Sequence, residues 1–228
     1  MILPIYSITP FTMMDYPNKL SAILWFSGCN FKCQYCYNTE LIQEKVKRIP
    51  STKVFEFLKS RKDYLDGVVL SGGECTLHNI YDFVKKIKDM GYSVKIDTNG
   101  SNPDLMKQLL DENLIDYVAL DYKSPNQIFN QVINTGVDFN LFNRTLNLLV
   151  QSNVEHEVRT TLCPNLVAEN EIGKIVDNLN NIHYAKTYYI QNYRSDHFQK
   201  EYNLDLKNKI QEHILGKKLE FNISYRNF

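Results

Sequence analysis

The sequence lacks a strong charge of either sign and any long apolar stretch. Lysine plus arginine and aspartate plus glutamate each number 26 among the 228 residues, so no net charge favours nucleic acid or acidic membranes. No apolar run reaches the roughly 18 residues of a membrane-spanning helix, and the first residues lack the basic start and long apolar stretch of a secretory signal. We therefore expect a cytoplasmic protein that binds neither membrane nor nucleic acid.

The sequence also lacks the cysteine pattern of a disulfide framework. It has five cysteines, and three of them, Cys29, Cys33 and Cys36, fall within eight residues. Such crowding is more typical of a metal site in a reducing compartment than of disulfide pairing. With 43% hydrophobic residues the chain can bury one substantial core, and we expect residues 1–228 to form a single domain.

Short apolar runs alternate with helical patterns along the chain. The runs show no strict alternation, which is typical of strands covered on both faces. They predict six strands, at 19–26, 67–70, 93–96, 117–120, 157–162 and 187–190. Between the runs, apolar residues at helical spacing predict helices, including one that starts at Ser51 or Thr52, one that Gly91 terminates and one that starts at Asn102-Pro103.

This alternation predicts a mostly parallel sheet with right-handed crossovers, either an open doubly wound sheet or part of a barrel. Six units suit 228 residues better than the eight of a full barrel, which typically needs about 250. The predicted fold class is therefore α/β, a partial (β/α)6 TIM-like barrel of parallel strands with outer helices. In such barrels the chemistry lies at the C-terminal ends of the strands, where the polar and glycine-rich clusters of this sequence fall.

The three clustered cysteines follow the first predicted strand on one loop. A structural zinc site needs four ligands, and an electron-transfer 4Fe-4S cluster usually has four cysteines. A cluster held by only three would leave one iron open to a substrate. The alternative is a zinc site in a noncatalytic interaction module, completed by a distant Cys75, Cys163, His78 or His156.

The motif Cys-x3-Cys-x2-Cys, with Tyr35 just before the third cysteine, resembles the signature of the radical S-adenosylmethionine (SAM) enzymes. A strand precedes the motif, and Gly72-Gly73-Glu74 follows the next strand, as in that family. The resemblance implies that the three cysteines are catalytic and hold a 4Fe-4S cluster whose open iron binds the methionine moiety of SAM. The cluster would then cleave SAM to methionine and a 5′-deoxyadenosyl radical. Cofactor contacts are implied for the glycine-rich segment, Tyr35 and Asn38.

Polar residues also end the third and fourth predicted strands, as Asp97-Thr98-Asn99-Gly100 and Asp121-Tyr122-Lys123. Asn-Gly is common in turns, so the first segment by itself could be a capped turn, but two such clusters at consecutive strand ends favour a site. Activating enzymes of glycyl-radical proteins carry similar segments. That resemblance implies that Asp97, Asn99 and Lys123 contact the cofactor and that Asp97 and Asp121 can hold a monovalent cation beside it.

Two further segments carry weaker predictions. Arg159 is predicted to be buried and to need an anionic partner, which could be the cofactor or, equally, Glu157 in an internal ion pair. The segment Gln191-Asn192-Tyr193-Arg194 follows the sixth predicted strand and could face the adenosine or a partner protein. His183 and His213 are expected to be solvated rather than catalytic.

The whole chain resembles the anaerobic ribonucleotide reductase activating proteins, within the glycyl-radical activase group. It departs from the family pattern at Asn18, where glycine is more frequent, at Tyr37, where histidine is frequent, and at Cys75, where proline is usual. We expect the Cys75 side chain to fill space in the core rather than to affect the cluster. The resemblance implies a glycyl-radical enzyme as partner, such as anaerobic ribonucleoside-triphosphate reductase, and a flavodoxin-type or other electron donor. A small-molecule radical enzyme of the carboxy-deazaguanine synthase type is the second alternative.

Overall fold

A single sheet of eight strands, in the order β1 to β8, organises the part of the chain that a computed structural model describes, residues 3–42, 48–162, 166–193 and 200–227. The strands are β1 (Ile5–Thr12), β2 (Ser21–Phe26), β3 (Gly67–Gly72), β4 (Ser93–Thr98), β5 (Tyr117–Asp121), β6 (Glu155–Thr161), β7 (Thr187–Gln191) and β8 (Asn222–Arg226). β1 pairs with β2 in antiparallel fashion, and every later neighbouring pair is parallel. The sheet therefore has β1 and β8 at its two edges and is a partial barrel.

Helices connect the parallel strands and cover the outside of the sheet. They are α1 (Thr39–Ile42), α2 (Ser51–Ser60), α3 (Tyr81–Asp89), α4 (Pro103–Asp111), α5 (Phe129–Ile133), α6 (Phe139–Gln151), α7 (Glu169–Asn181) and α8 (Lys200–Ile214). The apolar stripe of α3 is typical: Phe83, Val84 and Ile87 are all buried, as expected for one face of a helix packed on a sheet. Within the described ranges, no helix combines the length and apolar character needed to cross a membrane.

The six predicted strands correspond to β2 to β7, and the predicted fold class is confirmed. Helix boundaries follow the predicted signals. The Asn102 side chain accepts a hydrogen bond from the Leu105 N–H at the start of α4, where Pro103 is the first residue. Gly91, with φ of +83°, follows the end of α3, a conformation that favours glycine.

The inner face of the barrel is more polar than the apolar runs predicted. In β4, the side chains of Val94 and Ile96 are fully buried in the apolar core, whereas Lys95 and Asp97 form an ion pair in the interior. Strand alternation places each pair on its own face of the sheet. The apolar core thus lies between sheet and helices, and a large part of the barrel interior is charged.

Tyr16 fills the barrel interior at the N-terminal ends of the parallel strands. Its ring packs with Ile23 and Val69 and lies 5.9 Å, between ring centroids, from Tyr117. The chain enters β2 through Asn18, whose φ is +59°. Asparagine tolerates this left-handed conformation better than most residues other than glycine, so Asn18 can take the place of the glycine that the family resemblance implies.

Candidate active site

A cavity of about 290 Å³ lies at the C-terminal ends of the parallel strands and extends into the barrel. All thirteen residues predicted to form the site lie on its wall. They are Cys29, Cys33, Tyr35, Cys36, Asn38, Gly72, Gly73, Glu74, Asp97, Asn99, Asp121, Lys123 and Arg159. Residues that are far apart in sequence therefore converge because consecutive parallel strands end at the same edge of the sheet.

Backbone hydrogen bonds hold the cysteine loop in place. Gly28, immediately before Cys29, has φ of +88° and donates its N–H to the Leu41 carbonyl at 2.7 Å. Its own carbonyl accepts the N–H of Glu74 at 2.8 Å, which fixes the loop to the glycine-rich segment after β3. On the other side of the loop, the Lys32 N–H donates to the Ile133 carbonyl at 2.8 Å. The loop is thus anchored at its start and between the first two cysteines.

Burial governs the protonation of Cys29 and Cys33 when no metal is bound. It raises the pKa of Cys29 to about 12, and the nearby Glu74 carboxylate contributes in the same direction. Burial also raises the pKa of Cys33, although the Lys123 ammonium opposes this shift. Thiolates are the metal-binding form, so metal uptake must release protons from these thiols, and only a strongly positive centre can hold them as thiolates at neutral pH.

The three cysteines lie on one loop and line one cavity, which suits a multinuclear cluster. Zinc–sulfur bonds of about 2.3 Å bring tetrahedral ligand sulfurs to within roughly 4 Å of one another. Across the described residues, no three side chains of His, Cys, Asp or Glu come together closely enough to hold a single metal ion. A cluster of four irons distributes three thiolates over three different irons, which suits three cysteines on one cavity wall. The donor set therefore fits a 4Fe-4S cluster.

The proposed fourth ligands for zinc are engaged elsewhere. Cys75 is fully buried and its thiol faces the carbonyl oxygens of Leu70 and Asp97 at 3.8 and 3.6 Å, which fits the predicted filler. His78 Nε2 lies 3.0 Å from the Ser27 carbonyl oxygen, and His156 Nδ1 lies 2.8 Å from the Val154 carbonyl oxygen. None of the three lines the cavity, and Cys163 lies outside the described residues. The zinc alternative has no support from these positions.

Glu74 joins the end of β3 to the end of β4. Its side chain is buried and accepts four hydrogen bonds. The donors are the Thr76 N–H at 3.0 Å, the Thr76 hydroxyl at 2.6 Å, the Thr98 hydroxyl at 2.8 Å and the Asn99 N–H at 2.6 Å. Burial raises the pKa of Glu74, and these donors oppose the shift. The carboxylate thus shapes the wall of the cavity and has little capacity left to bind a ligand.

Amide side chains connect the cysteine loop to the strand ends. Asn99 donates from Nδ2 to Asn30 Oδ1 at 2.9 Å, and Asn30 donates in turn to the Ser101 hydroxyl at 2.8 Å. Asn38 donates to the Gly72 carbonyl at 3.3 Å. These contacts show what the two predicted cofactor-binding asparagines do in the protein itself: they brace the wall on which the cysteines lie.

Arg159 is held mainly by Asp121. Its Nε donates to Asp121 Oδ1 at 2.8 Å, whereas its distance to Glu157 is 3.9 Å. Glu157 is instead paired with both terminal nitrogens of Arg226 at 3.0 Å, so the expected Arg159–Glu157 pair is only a secondary contact. Lys123 also donates to Asp121, at 3.0 Å. Arg159 still lines the cavity and faces the same space as the cysteines.

Acid should weaken the fold through Asp121. Burial raises its pKa, but the charges of Arg159 and Lys123 outweigh burial and hold the pKa at about 2, below the ordinary 3.8. Because the folded-state pKa is the lower one, the ionised group stabilises the fold above about pH 4, and this contribution is lost as the pH falls towards 2. Asp121→Asn should therefore lower the free energy of unfolding by about 2 kcal/mol at pH 6 and by progressively less below pH 4. Urea unfolding of metal-free protein measures this, and a loss that does not change with pH would contradict it.

The structure adds site residues that the sequence motifs did not indicate. Trp25 and Asp15 line the inner part of the cavity, and Lys95 lies beneath the end of β4. Lys95 and Asp97 are two residues apart in a strand, a spacing that could have indicated a shared inner face. Tyr37, at the departure from the family histidine, stacks on Tyr193 with 5.1 Å between ring centroids.

The segment after β7 contributes in part. Gln191 lines the cavity, and Asn192 is buried and donates to the Asn227 carbonyl at 3.2 Å. Arg194, the last residue of that predicted segment, lies outside the described residues. His183 and His213 are both exposed, as expected.

Comparisons with known proteins agree with this geometry. Residues 23–186 match the family model described as the radical SAM superfamily. A Methanocaldococcus jannaschii protein named as a candidate glycyl-radical enzyme activating enzyme is 34% identical over 176 residues, which cover 74% of this chain and 72% of the relative. A 7-carboxy-7-deazaguanine synthase of Aquifex aeolicus is 29% identical over 82 residues, 36% of each chain.

Two solved structures share the fold. SuiB of Streptococcus suis bound to its precursor peptide SuiA superposes with a TM-score of 0.68 at 15% identity, over 89% of this chain and 48% of SuiB, so this chain spans about half the length of that protein. QueE from Escherichia coli superposes with a TM-score of 0.60 at 14% identity, over 99% of this chain and 94% of QueE. At these identities the likeness concerns the fold alone.

Proposed function

Because this chain belongs to the radical SAM superfamily, we propose that it binds a 4Fe-4S cluster and SAM in the cavity and generates a glycyl radical on a partner enzyme. The observation that carries the proposal is the convergence of all thirteen predicted site residues on one cavity wall. The cluster, when bound, supplies the electron that cleaves the sulfonium of SAM. What the chain itself contributes is binding, orientation and the exclusion of water.

The cysteines and the glycine-rich segment hold the reactive end of the cofactor in this proposal. Cys29, Cys33 and Cys36 ligate three irons and leave the fourth open. The backbone of Gly72 and Gly73 can approach a ligand closely because neither residue has a side chain. Glu74 fixes that backbone against the end of β4 through its hydrogen bonds with Thr76 and Asn99. The segment is thereby preorganised for the amino group of the methionine moiety.

Lys123 is the residue we assign to the carboxylate of SAM. Its side chain is mostly buried, lines the cavity and is paired with Asp121. Burial alone would lower the pKa of Lys123, but the Asp121 carboxylate outweighs burial and the pKa is raised. A buried ammonium that stays charged can bind a carboxylate with little competition from water. Arg159 keeps Asp121 neutralised from the other side, so that Lys123 can turn towards a ligand without leaving an isolated buried carboxylate.

The support for a protein substrate comes from the relative named for glycyl-radical enzyme activation, since the similarity to it extends over three quarters of the chain. The similarity to 7-carboxy-7-deazaguanine synthases covers between about a third and a half of the chain, so that activity is the second candidate. We further propose that the partner is an anaerobic ribonucleoside-triphosphate reductase, that a flavodoxin-type protein donates the electron, and that the enzyme acts in the cytoplasm as a single radical SAM domain.

Electron paramagnetic resonance with a partner enzyme tests the function. Reconstituted protein with dithionite should cleave SAM slowly alone and should produce a glycyl-radical doublet when the reductase is added. Deuterium placed at Cα of the reductase loop glycine should appear in 5′-deoxyadenosine, because that hydrogen is the one removed. A reductase with this glycine changed to alanine is the matched control and should give no doublet.

Two results would overturn parts of the proposal. Cleavage of SAM with no radical on any glycyl-radical enzyme would remove the activase assignment and leave the radical chemistry. Turnover of a free carboxy-substituted pterin or another small molecule, without any protein partner, would favour the second candidate.

A further inference from the structure

The aspartates at the ends of β4 and β5 are already neutralised by side chains of this protein. We propose that the Lys95 ammonium serves as a built-in counter-ion at the place predicted for a monovalent cation, so that this site binds SAM and functions without an alkali metal ion. The inference rests on the SAM site proposed above. It contradicts the predicted cation site at Asp97 and Asp121.

The contacts of the two carboxylates carry the inference. One oxygen of Asp97 is paired with Lys95 Nζ, and the other accepts from the Ser71 hydroxyl at 3.0 Å and lies 3.7 Å from an Arg159 terminal nitrogen. Asp121 accepts from Arg159 Nε at 2.8 Å on one oxygen and from Lys123 Nζ at 3.0 Å on the other. All four carboxylate oxygens thus have protein donors, whereas a hard cation needs several oxygens turned towards it.

The net charge of the side chains around the two aspartates also argues against a bound alkali ion. Two carboxylates face three cationic side chains, Lys95, Lys123 and Arg159, so the cluster already has one positive charge in excess. An added alkali ion would raise the excess to two positive charges in a region from which water is largely excluded, where like charges repel strongly. The nearby Glu157 carboxylate does not offset this excess positive charge, because both of its oxygens are paired with Arg226.

Lys95 is suited to this function by its position in the fold. Its side chain is 3% exposed, it projects from β4 two residues before Asp97, and its ammonium lies 5.8 Å from the centre of the Tyr117 ring. A lysine this deeply buried needs an anionic partner, and Asp97 is the partner it has. When Lys123 turns to a SAM carboxylate, Asp97 stays neutralised by Lys95 and Asp121 by Arg159. Lys95 is therefore a positioning residue that keeps the strand ends in place beneath the cofactor.

A comparison of salts tests the inference. SAM affinity and SAM cleavage are measured for reconstituted protein in potassium, sodium and tetramethylammonium chloride at equal ionic strength, since tetramethylammonium is too large for an alkali site. Wild type should vary by less than about twofold among the salts. Lys95→Met should lose roughly tenfold in affinity in tetramethylammonium and regain most of it in potassium or sodium. Lys95→Arg, which keeps the charge, should vary by less than about twofold among the salts, whatever its affinity relative to wild type.

Controls separate this inference from the proposed function. Lys85 is exposed on α3, so Lys85→Met changes the same residue type away from the site and should match wild type in every salt. The melting temperature of metal-free protein is a second readout that needs no SAM chemistry: potassium should raise it for Lys95→Met and leave wild type unchanged. If no variant cleaves SAM in any salt, the proposed function fails while the melting comparison still decides the role of Lys95.

Three outcomes would overturn the inference. One is wild-type protein that gains more than about fivefold in SAM affinity or cleavage from potassium or sodium. Another is Lys95→Met protein that equals wild type in tetramethylammonium. The third is Lys95→Met protein that is weakened equally in all salts, which would indicate only a packing role. If Lys95→Met fails to fold, the wild-type and Lys95→Arg measurements decide.

Discussion

Replacing Cys33 with alanine should leave a protein that retains little iron and cleaves SAM more than about 1000-fold slower than wild type. The loss should exceed the 10–100-fold typical of outer-shell changes because a direct ligand is removed and two thiols on one loop cannot hold the cluster. Cys33 is buried in the cavity wall, and no other cysteine lines the cavity besides its two loop neighbours among the described residues. Iron and sulfide analysis, the visible spectrum and the yield of 5′-deoxyadenosine measure the effect. Cys29→Ala and Cys36→Ala should behave alike.

Cys75→Ala is the matched control. Its thiol is buried but faces backbone carbonyls outside the cavity, so iron content and SAM cleavage should stay within about twofold of wild type, and stability should fall by only about 1 kcal/mol for the lost sulfur. Full iron content in Cys33→Ala would refute the ligand assignment. Loss of iron in Cys75→Ala would show that this cysteine is no mere filler.

Most residues of the site could be predicted from the sequence, because they fall in short motifs at strand ends. The six central strands are buried apolar runs, which are easy to recognise, and parallel strands deliver their C-terminal residues to one edge. The cysteine loop, the Gly72–Glu74 segment and Lys123 could therefore be placed together without coordinates. Their meeting on a single cavity wall follows from topology rather than from any one side chain.

The two edge strands escaped prediction for physical reasons. β1 contains Pro10 and only two of its eight residues are buried, and β8 exposes or half-exposes every residue. An edge strand has a neighbour on one side only, so it needs fewer apolar residues and carries a weaker pattern. β8 nevertheless matters to the site, because Arg226 at its end occupies both oxygens of Glu157.

The charged barrel interior was also not predicted. Apolar runs indicate that a strand is buried, but they do not indicate which side chains pack against it. Lys95 stands between Val94 and Ile96, and Glu157 stands between His156 and Val158, so periodicity alone does not show what either charged side chain contacts. Lys95 pairs with Asp97 of its own strand, whereas Glu157 of β6 pairs with Arg226 of β8, and only the assembly of the strands into one sheet brings that second pair together. Of the two partners predicted as alternatives for Arg159, Glu157 does form an ion pair with it at 3.9 Å, whereas the shorter pair, with Asp121 at 2.8 Å, was not predicted.

Replacing Gly73 with alanine should damage the site severely, although less than the loss of a cysteine does. A Cβ at Gly73 would lie 2.2 Å from the carbonyl oxygen of Gly28 and 2.8 Å from its carbonyl carbon. These are backbone atoms in the loop that precedes Cys29, so no side-chain rotation can relieve the clash, and the two segments must separate. Their separation breaks the hydrogen bond from the Glu74 N–H to Gly28 and displaces the first cysteine.

We expect Gly73→Ala to cleave SAM about 100-fold more slowly, to hold less iron and to lose about 1–3 kcal/mol of stability, the usual cost of overpacking. Gly136→Ala is the matched control, because a Cβ there meets nothing within 4 Å and its backbone has no left-handed conformation. It should change stability by less than about 0.5 kcal/mol and leave iron content intact. Iron content, SAM cleavage and urea unfolding of both variants decide the matter. If Gly73→Ala retained full iron and activity, the close approach of the two loops would not be needed to hold the cluster, and the site would have to tolerate a displaced Cys29.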